Sequence, residues 1–283
     1  MADPPVPTLA VVPSPSYPNF ADKHAEEAMF TPEDFIAYLR RAGGLAHDDD
    51  DPPDGIVLCY QRSLFKSILT MEGLEPPARQ GALHAMRRLP STQGRVGVLG
   101  QFGIGAPAAA AALEELAALG TARFVSIGTA GSLQRDLRVG DLVLCEAAIR
   151  DEGVSHHYLP PAKLAVPSAA LTERLGAEIG AAGFDVRVGT SWTIDAPYRE
   201  TVAEARQYQA ENVLCVEMEA AALFAVGSFR GVEIASAFVI SDSLAELVWD
   251  PQFHGPEVES GLTTLWEAAL RSLLIPTPRV TGV

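Results

Sequence analysis

The sequence predicts an α/β protein with a single domain, in which a central mixed, mostly parallel sheet is flanked by helices. Two observations predict this fold class. From residue 55 onward, short apolar runs alternate with longer stretches of helical character, and such alternation is typical of βαβ units. The chain has 283 residues, of which 48% are hydrophobic and 20% charged, so it is long and apolar enough to bury one sizeable core.

The first 54 residues are predicted to form an N-terminal extension. Residues 1–20 are rich in Pro and have no periodic pattern, so we expect an arm that is mobile or lies on a neighbour. One short helix is predicted over residues 32–41, because Thr31 is a favourable N-cap, Pro32 suits the first helical position and two acids follow. Residues 48–53 are interpreted as an acidic, solvated linker. The domain proper is then predicted over residues 55–283.

Seven strands and five helices are predicted within this domain, because short apolar runs favour strands and longer helical stretches separate them. The strands are predicted at residues 56–60, 96–100, 124–127, 142–145, 186–188, 213–216 and 234–240. The helices are predicted at residues 106–119, 168–182, 200–209, 218–229 and 259–274. Ligands in such folds bind at the carboxyl ends of strands, so we expect the functional side chains in the segments that follow the strands.

Charge and cysteine content argue against several classes of function. The formal net charge of -15 disfavours binding to nucleic acid and to anionic membranes. The three cysteines are widely spaced and form no CxxC pair, so we expect neither a disulfide framework nor a bound metal, and a cytoplasmic location. The N-terminus lacks a signal-peptide pattern, and no apolar run reaches about 18 residues, so no membrane span is expected.

Two glycine-rich segments follow predicted strands. Residues 100–107 precede an Ala-rich helix, and the helix N-terminus after Gly105 would favour an anion. Residues 126–133 include Ser126, Thr129 and Gly131, whose small side chains and free amides suit a sugar or an anion. A structural glycine turn explains each segment equally well.

Two acidic segments also lie at predicted strand ends. Glu217, Met218 and Glu219 stand where a strand is predicted to give way to a helix. Their flanks are apolar, so these carboxylates are expected to face a cleft, where they could accept hydrogen bonds from sugar hydroxyls. Ser241 and Asp242 directly follow another apolar strand. An acidic first turn or a helix N-cap is the alternative explanation for these acids.

Together these segments resemble the nucleoside phosphorylase superfamily, in its purine nucleoside phosphorylase, uridine phosphorylase and nucleosidase branches. The specific likeness is the combination of Val-Glu-Met-Glu-Ala-Ala at residues 216–221 with Val-Ile-Ser-Asp at residues 239–242. The resemblance covers about residues 55–275. Supporting segments in the same order are residues 103–105, 128–131, 139–141, 150–158 and 192–199.

The resemblance implies a role for each of these side chains. Asp242 would protonate N7 of a purine and so make the base a better leaving group. Glu219 would accept hydrogen bonds from the ribose hydroxyls, with Met218 packed on the sugar face and Glu217 assisting. The base pocket is implied to include Gly131, Trp192, Tyr198 and Ser241. Purines are favoured, because uridine-specific members tend to carry a basic residue near the position of Asp242.

The chain departs from the family pattern where phosphate normally binds. The usual Gly-Asp-Pro-x-Arg is replaced by Leu-Cys-Tyr-Gln-Arg-Ser-Leu-Phe-Lys at residues 58–66, and a second arginine position holds Ser126. Only Thr129 stands where a phosphate-binding hydroxyl is expected. Charge-assisted hydrogen bonds contribute roughly 1.5–3 kcal/mol each, so losing two would weaken phosphate binding by about 10²–10⁴-fold.

Three functions are compatible with this pattern, and phosphorolysis is favoured over the other two because the chain otherwise resembles the phosphorylases. The first is phosphorolysis of a nucleoside with inorganic phosphate as co-substrate, where Arg62, Lys66, the helix N-terminus after Gly105 or a neighbouring subunit's arginine replaces the missing cations. The second is hydrolysis, although residues 60–66 offer no carboxylate to activate water. The third is binding of a nucleoside without turnover. No cofactor is expected, and the resemblance implies a homo-oligomer (dimer, trimer or hexamer).

Overall fold

The computed structural model of the chain describes residues 17–20, 22–45, 52–79 and 81–275. The predicted arm, except for its last residues, and the acid run at residues 48–51 lie outside these ranges. The helices are α1 (Pro32–Arg41), α2 (Arg62–Met71), α3 (Ala82–Ala85), α4 (Ala106–Ala118), α5 (Ala169–Ala181), α6 (Val202–Ala210), α7 (Ala220–Arg230) and α8 (Pro256–Leu274).

The strands belong to one sheet. They are β1 (Gly55–Cys59), β2 (Arg87–Arg88), β3 (Val96–Gly100), β4 (Arg123–Ser132), β5 (Leu142–Asp151), β6 (Leu164–Ala165), β7 (Val186–Ile194), β8 (Cys215–Glu217), β9 (Glu233–Ser243) and β10 (Asp250–Pro251). Their order is β10-β9-β5-β7-β8-β4-β1-β3-β2, with β6 beside β5 and a further pairing between β9 and β4. That further pairing closes β4, β8, β7, β5 and β9 into a ring.

The sheet is mixed. Its longer pairings, β4 with β9 and β5 with β7, are parallel. The antiparallel pairings are short, as where the end of β4 meets β8 or β9 meets β5. A mixed sheet whose long pairings are parallel agrees with the predicted fold class.

Helices cover both faces of the sheet. Because successive strand residues point to opposite faces, Phe124 of β4 packs with α4 and α7, whereas Val125 packs with α2, α5 and α8. Helix α1 has the predicted bounds, a capping box formed by Thr31 and Asp34, and one buried residue, Ile36. It packs on α4, so the one helix of the predicted N-terminal extension contacts the domain.

Several strands are longer than predicted, and the glycine segment at residues 126–133 is the clearest case. The sequence predicts that this strand ends at residue 127, yet residues 126–132 all belong to β4. They pair with β9 on one side, and the last two of them, Gly131 and Ser132, also pair with β8. Gly131 is required there by crowding, since an added Cβ would lie 2.6 Å from Leu244 Cδ1. Helix α2 was missing from the predicted helices.

Within the described ranges, no helix combines the length and the apolar character needed to span a bilayer. Cys59, Cys145 and Cys215 are all buried free thiols. Burial raises the pKa of the Cys59 and Cys145 thiols to about 12, so these thiols remain protonated at neutral pH.

Candidate active site

The predicted functional segments meet at one region of the sheet. Strand β4 lies at the centre of this region. It pairs with β1 and β9, and its last two residues, Gly131 and Ser132, pair with β8. Gly131 of β4 is in register with Val216 of β8 and with Asp242 of β9. The topology therefore brings the two acidic segments, which lie more than twenty residues apart in sequence, to neighbouring strand ends.

Asp242 lies near the end of β9 and is 7% exposed. Its Oδ1 accepts a hydrogen bond from Ser241 Oγ at 2.8 Å, and its Oδ2 accepts one from Trp249 Nε1 at 3.0 Å. Burial raises the pKa of Asp242, and the two hydrogen bonds oppose that rise. A buried carboxyl group with a raised pKa is suited to hold and transfer a proton.

Trp249 reaches Asp242 because the chain folds back after β9. Strand β10 pairs with β9 in an antiparallel hairpin, with Asp250 opposite Ser243 and Pro251 opposite Asp242. Trp249 directly precedes β10 and was not predicted as a site residue. No sequence pattern distinguishes it from other aromatic residues, since its position depends on the hairpin.

Glu200 is a second residue that the sequence did not indicate. It follows the 3₁₀ turn Pro197–Arg199. Its pKa is raised to about 7, first by burial and then by the charges of Asp242 and Glu204. Two carboxyl groups, Glu200 and Asp242, therefore influence each other at this end of the site.

Glu217 is 5% exposed, and both of its carboxylate oxygens are occupied. Oε1 accepts hydrogen bonds from the hydroxyls of Ser191 and Thr193, and Oε2 accepts from the backbone N–H groups of Glu219 and Ala220 at 2.8 and 2.7 Å. Four donors thus hold Glu217 at the start of α7. This geometry corrects the expectation of sugar contact: Glu217 fixes the helix that presents Glu219.

Glu219 directly precedes α7 and contacts the residue that directly precedes α4. Its Oε1 accepts a hydrogen bond from the Gly105 N–H at 2.6 Å, and Gly105 precedes α4 in a left-handed conformation with φ of 87°. Burial, followed by the charge of Glu217, raises the pKa of Glu219 to about 8. Met218 is half-buried, and its Cε would lie 3.8 Å from a Cβ added to Gly105. The expected sugar-facing pair therefore lies beside the first glycine segment.

A group of neutral polar side chains connects the end of β1 with β4. The Tyr60 hydroxyl and Ser126 Oγ are 3.2 Å apart, and Gln61 Nε2 donates to Thr129 Oγ1 at 3.0 Å. Gln61 Oε1 is buried with no hydrogen-bond partner among the described residues. We call Tyr60, Gln61, Ser126 and Thr129 the neutral pocket; it occupies the place where the sequence predicted phosphate or water.

The two candidate replacement cations lie beside this pocket on α2. Arg62 is the first residue of α2 and Lys66 follows one turn later, and both side chains are exposed. The largest electrostatic influences on Tyr60, whose pKa is raised mainly by burial, come from Glu219 and Glu217. Two acidic side chains therefore lie close enough to Tyr60 to influence its pKa.

The structure also corrects the two aromatic walls expected for a base pocket. Trp192 is fully buried, its indole N–H donates to Asp151 at 2.8 Å, and its ring packs 4.8 Å from that of Tyr208. Tyr198, in contrast, is fully exposed on its 3₁₀ turn. Trp192 is a core residue because β7 continues through residues 190–194 and places it between β5 and β8.

A separate open cavity of about 440 Å³ lies beside the loop that connects β9 to β10. It is lined by Leu133, Gln134, Arg135, Arg206, Gln209, Ala245, Glu246 and Leu247. Neither the carboxyl groups described above nor the neutral pocket line it, so it is distinct from the candidate site.

Crowding at Gly131 gives a first prediction. A Cβ there would lie 2.6 Å from Leu244 Cδ1, 3.0 Å from Asp242 Oδ2 and 3.3 Å from Val216 Cγ1. We expect Gly131→Ala to lower the free energy of unfolding by about 1–3 kcal/mol, as overpacking does, measured by urea denaturation. Gly180→Ala is the control, because nothing lies within 4 Å of an added Cβ in α5. Equal stability of the Gly131 variant and the wild type would contradict this account of the crowding.

Comparison with known proteins gives the following similarities. A family model described as the phosphorylase superfamily matches residues 76–271. A guanosine phosphorylase from Halorubrum lacusprofundi is 37% identical over 143 residues, which are 50% of this chain and 59% of that protein. A uridine phosphorylase from Treponema pallidum is 32% identical in an alignment of 195 residues that covers 62% of this chain and 73% of that protein.

A solved structure of an AMP nucleosidase from Bacteroides thetaiotaomicron superimposes with a TM-score of 0.67 and 21% identity, covering 86% of this chain and 98% of that one. At that identity the likeness concerns the fold, and it confirms the predicted α/β architecture. The alignment to the guanosine phosphorylase spans about three fifths of that relative's length.

Proposed function

The chain belongs to the phosphorylase superfamily, and we propose that it cleaves the N-glycosidic bond of a purine-type nucleoside, with water taking the sugar. The observation that carries the proposal is the placement of two carboxyl groups beside Gly131 of β4: the buried Asp242 lies near the end of β9, the half-buried Glu219 follows β8, and both strands pair with β4 at Gly131. One is placed to serve the base and the other the sugar.

The proposed chemistry follows from the charges that develop when the bond breaks. The electron pair of the bond goes to the base, and Asp242 supplies a proton to the base nitrogen N7. Positive charge develops on the sugar. Glu219, whose pKa is about 8 in the free enzyme, loses its proton to solvent more readily beside that charge, and the resulting carboxylate stabilises the sugar while accepting hydrogen bonds from the ribose hydroxyls. The oxygen of water then adds to C1′, a proton of that water is released, and the products are free base and ribose.

A purine-type base is favoured by the chemistry of Asp242. A protonated carboxyl group donates to a ring nitrogen such as N7, and burial raises the pKa of Asp242 so that it can carry the proton. The relatives named above include one guanosine and one uridine phosphorylase, so the preference for purines rests on this carboxyl group.

Water is favoured as the acceptor because the pocket beside the sugar site is neutral. Phosphate would lose its hydration there without gaining an ion pair inside the pocket, because the side chains of Tyr60, Gln61, Ser126 and Thr129 are all uncharged donors or acceptors. Gln61 Oε1 is a buried acceptor with no hydrogen-bond partner among the described residues. A water molecule can donate to this oxygen without bringing a net charge into the pocket.

Phosphorolysis remains the second candidate, and two observations favour it. The relatives named above by sequence are phosphorylases. Arg62 and Lys66 are exposed at the start of α2, close in sequence to Gln61. In this alternative, either residue or a neighbouring subunit's arginine would bind the phosphate.

Product analysis in H₂¹⁸O separates the two candidates. Purified protein is incubated with adenosine, inosine, guanosine and uridine, with and without inorganic phosphate. We expect base release at the same rate in both conditions, purines ahead of uridine, and ¹⁸O in the ribose. Release that requires phosphate, with sugar 1-phosphate as product, would establish phosphorolysis. Binding without release from any nucleoside would reject cleavage altogether.

A further inference from the structure

We propose that Trp249 is a positioning residue that gates Asp242: its indole N–H occupies the carboxyl group in the free enzyme, and an entering purine displaces it and packs against the indole ring. This inference rests on the proposed function, because it concerns the same acid. It assigns an aromatic wall to the base site, which Trp192 and Tyr198 do not provide in the structure.

The first observation is that both oxygens of Asp242 already accept hydrogen bonds. Ser241 Oγ binds Oδ1 at 2.8 Å and Trp249 Nε1 binds Oδ2 at 3.0 Å. Each carboxylate oxygen has two acceptor positions, and the indole N–H takes one of those on Oδ2. A ligand nitrogen that approaches Oδ2 from the solvent side meets this bond first, because Ser241 is fully buried next to Oδ1 whereas Trp249 is exposed.

The second observation is the exposure of the ring that makes this bond. Trp249 is 61% exposed although its N–H is fixed on a buried acid. The nearest aromatic ring is that of Phe253, with centroids 6.2 Å apart, and Phe253 is itself 42% exposed. An indole with an uncovered face beside a proton donor is suited to a flat heterocycle, whose ring can stack while its nitrogen reaches the acid.

The chain around Trp249 is anchored on both sides. Before it, Leu247 has φ of 60° and donates its N–H to the Leu244 carbonyl at 2.8 Å. After it, β10 pairs with β9, and Gln252 N–H donates to the Ser241 carbonyl at 2.9 Å. The backbone thus keeps the indole near Asp242.

The charged groups around Asp242 set the expected pH effect. The charge of Asp242 contributes to the raised pKa of Glu200, as does the charge of Glu204, while β4 presents Gly131, which has no side chain. The Trp249 hydrogen bond lowers the pKa of Asp242. Trp249→Phe removes that bond, so the pKa of Asp242 rises. Since Asp242 acts in its protonated form, the loss of activity at high pH moves to higher pH.

Fluorescence tests the contact directly, because the chain has three tryptophans. Trp192 and Trp266 are buried and Trp249 is exposed. We expect saturating guanosine or guanine to quench and blue-shift the emission of the wild type and of Trp266→Phe, but not of Trp249→Phe. We also expect Trp249→Phe to raise KM more than it lowers kcat and to shift the alkaline limb of kcat/KM upward.

Three outcomes would overturn the inference. One is quenching that persists in Trp249→Phe. Another is a Trp249→Phe enzyme that releases base with the wild-type KM and pH profile, which would leave the proposed function intact. The third is a Trp249 emission that changes with protein concentration and not with ligand, which would place a second copy of the chain on the ring. Failure of the proposed function is recognised separately, since the wild type would then release no base.

Discussion

Replacing Asp242 with Asn is expected to lower kcat/KM for nucleoside cleavage by about 10²–10⁴-fold, the range of a lost general acid. The carboxamide has nearly the same shape, and it can accept from Trp249 Nε1 and donate to Ser241 Oγ, so both contacts are kept. It cannot supply a proton to the base. Base release from guanosine and inosine, measured by liquid chromatography, checks the effect, with thermal unfolding to confirm the fold.

Two controls make this prediction specific. Asp250→Asn changes a carboxylate on the neighbouring strand β10, opposite Ser243, and is expected to retain wild-type activity. A 4-nitrophenyl riboside has a leaving group that departs without protonation, so Asp242→Asn should lose far less activity on it than on guanosine. Equal losses on both substrates would contradict an acid role for Asp242.

The fold class could be predicted because strand and helix leave different spacings of apolar residues in the sequence. The ends of the strands could not, since they depend on pairing. Residues 128–131 have the composition of a loop, yet β8 and β9 hold them in β4. Trp192 lies in the same kind of strand extension, and its burial follows from neighbours that local sequence does not reveal.

The site could be predicted in part, for a related reason. Asp242 and Glu219 are both acids beside an apolar run, where an exposed carboxylate is not expected, and it is the resemblance to the nucleoside phosphorylase superfamily that implies their roles toward the base and the sugar. Glu217 shares that pattern, but only the positions of Ser191 and Thr193 from another strand show that its oxygens are occupied. Trp249 depends on the hairpin in the same way.

The identity of the molecule that accepts the sugar, water or phosphate, shows a further limit of sequence reasoning. The missing arginines were visible in the sequence as Ser126 and as the changed segment at residues 58–66. The unpartnered oxygen of Gln61 was not, because it results from the way the end of β1 meets β4. The sequence indicated that the pocket lacks the two arginines, and only the structure indicates that Gln61 Oε1 is available to accept a hydrogen bond there.

Glu219→Gln is expected to have opposite effects on stability and on activity. In the folded protein the pKa of Glu219 is raised to about 8 from its ordinary value of 4.5, so the folded state binds more protons than the unfolded state between these values. Stability from this group is therefore lost as pH rises through that window. Gln is always neutral and can still accept from the Gly105 N–H, so the variant should lose less stability between pH 5 and pH 8.

The same substitution removes the negative charge that the proposed mechanism places beside the positively charged sugar. We expect kcat to fall by about 10²–10³-fold, the size of a lost electrostatic contact in a transition state. Glu246→Gln, which alters an exposed ion pair with Arg135, is the control and should change neither property. Thermal unfolding at pH 5 and pH 8, together with base release, measures both effects. A variant that is destabilised at pH 8 and remains active would show that Glu219 supports the fold and not the reaction.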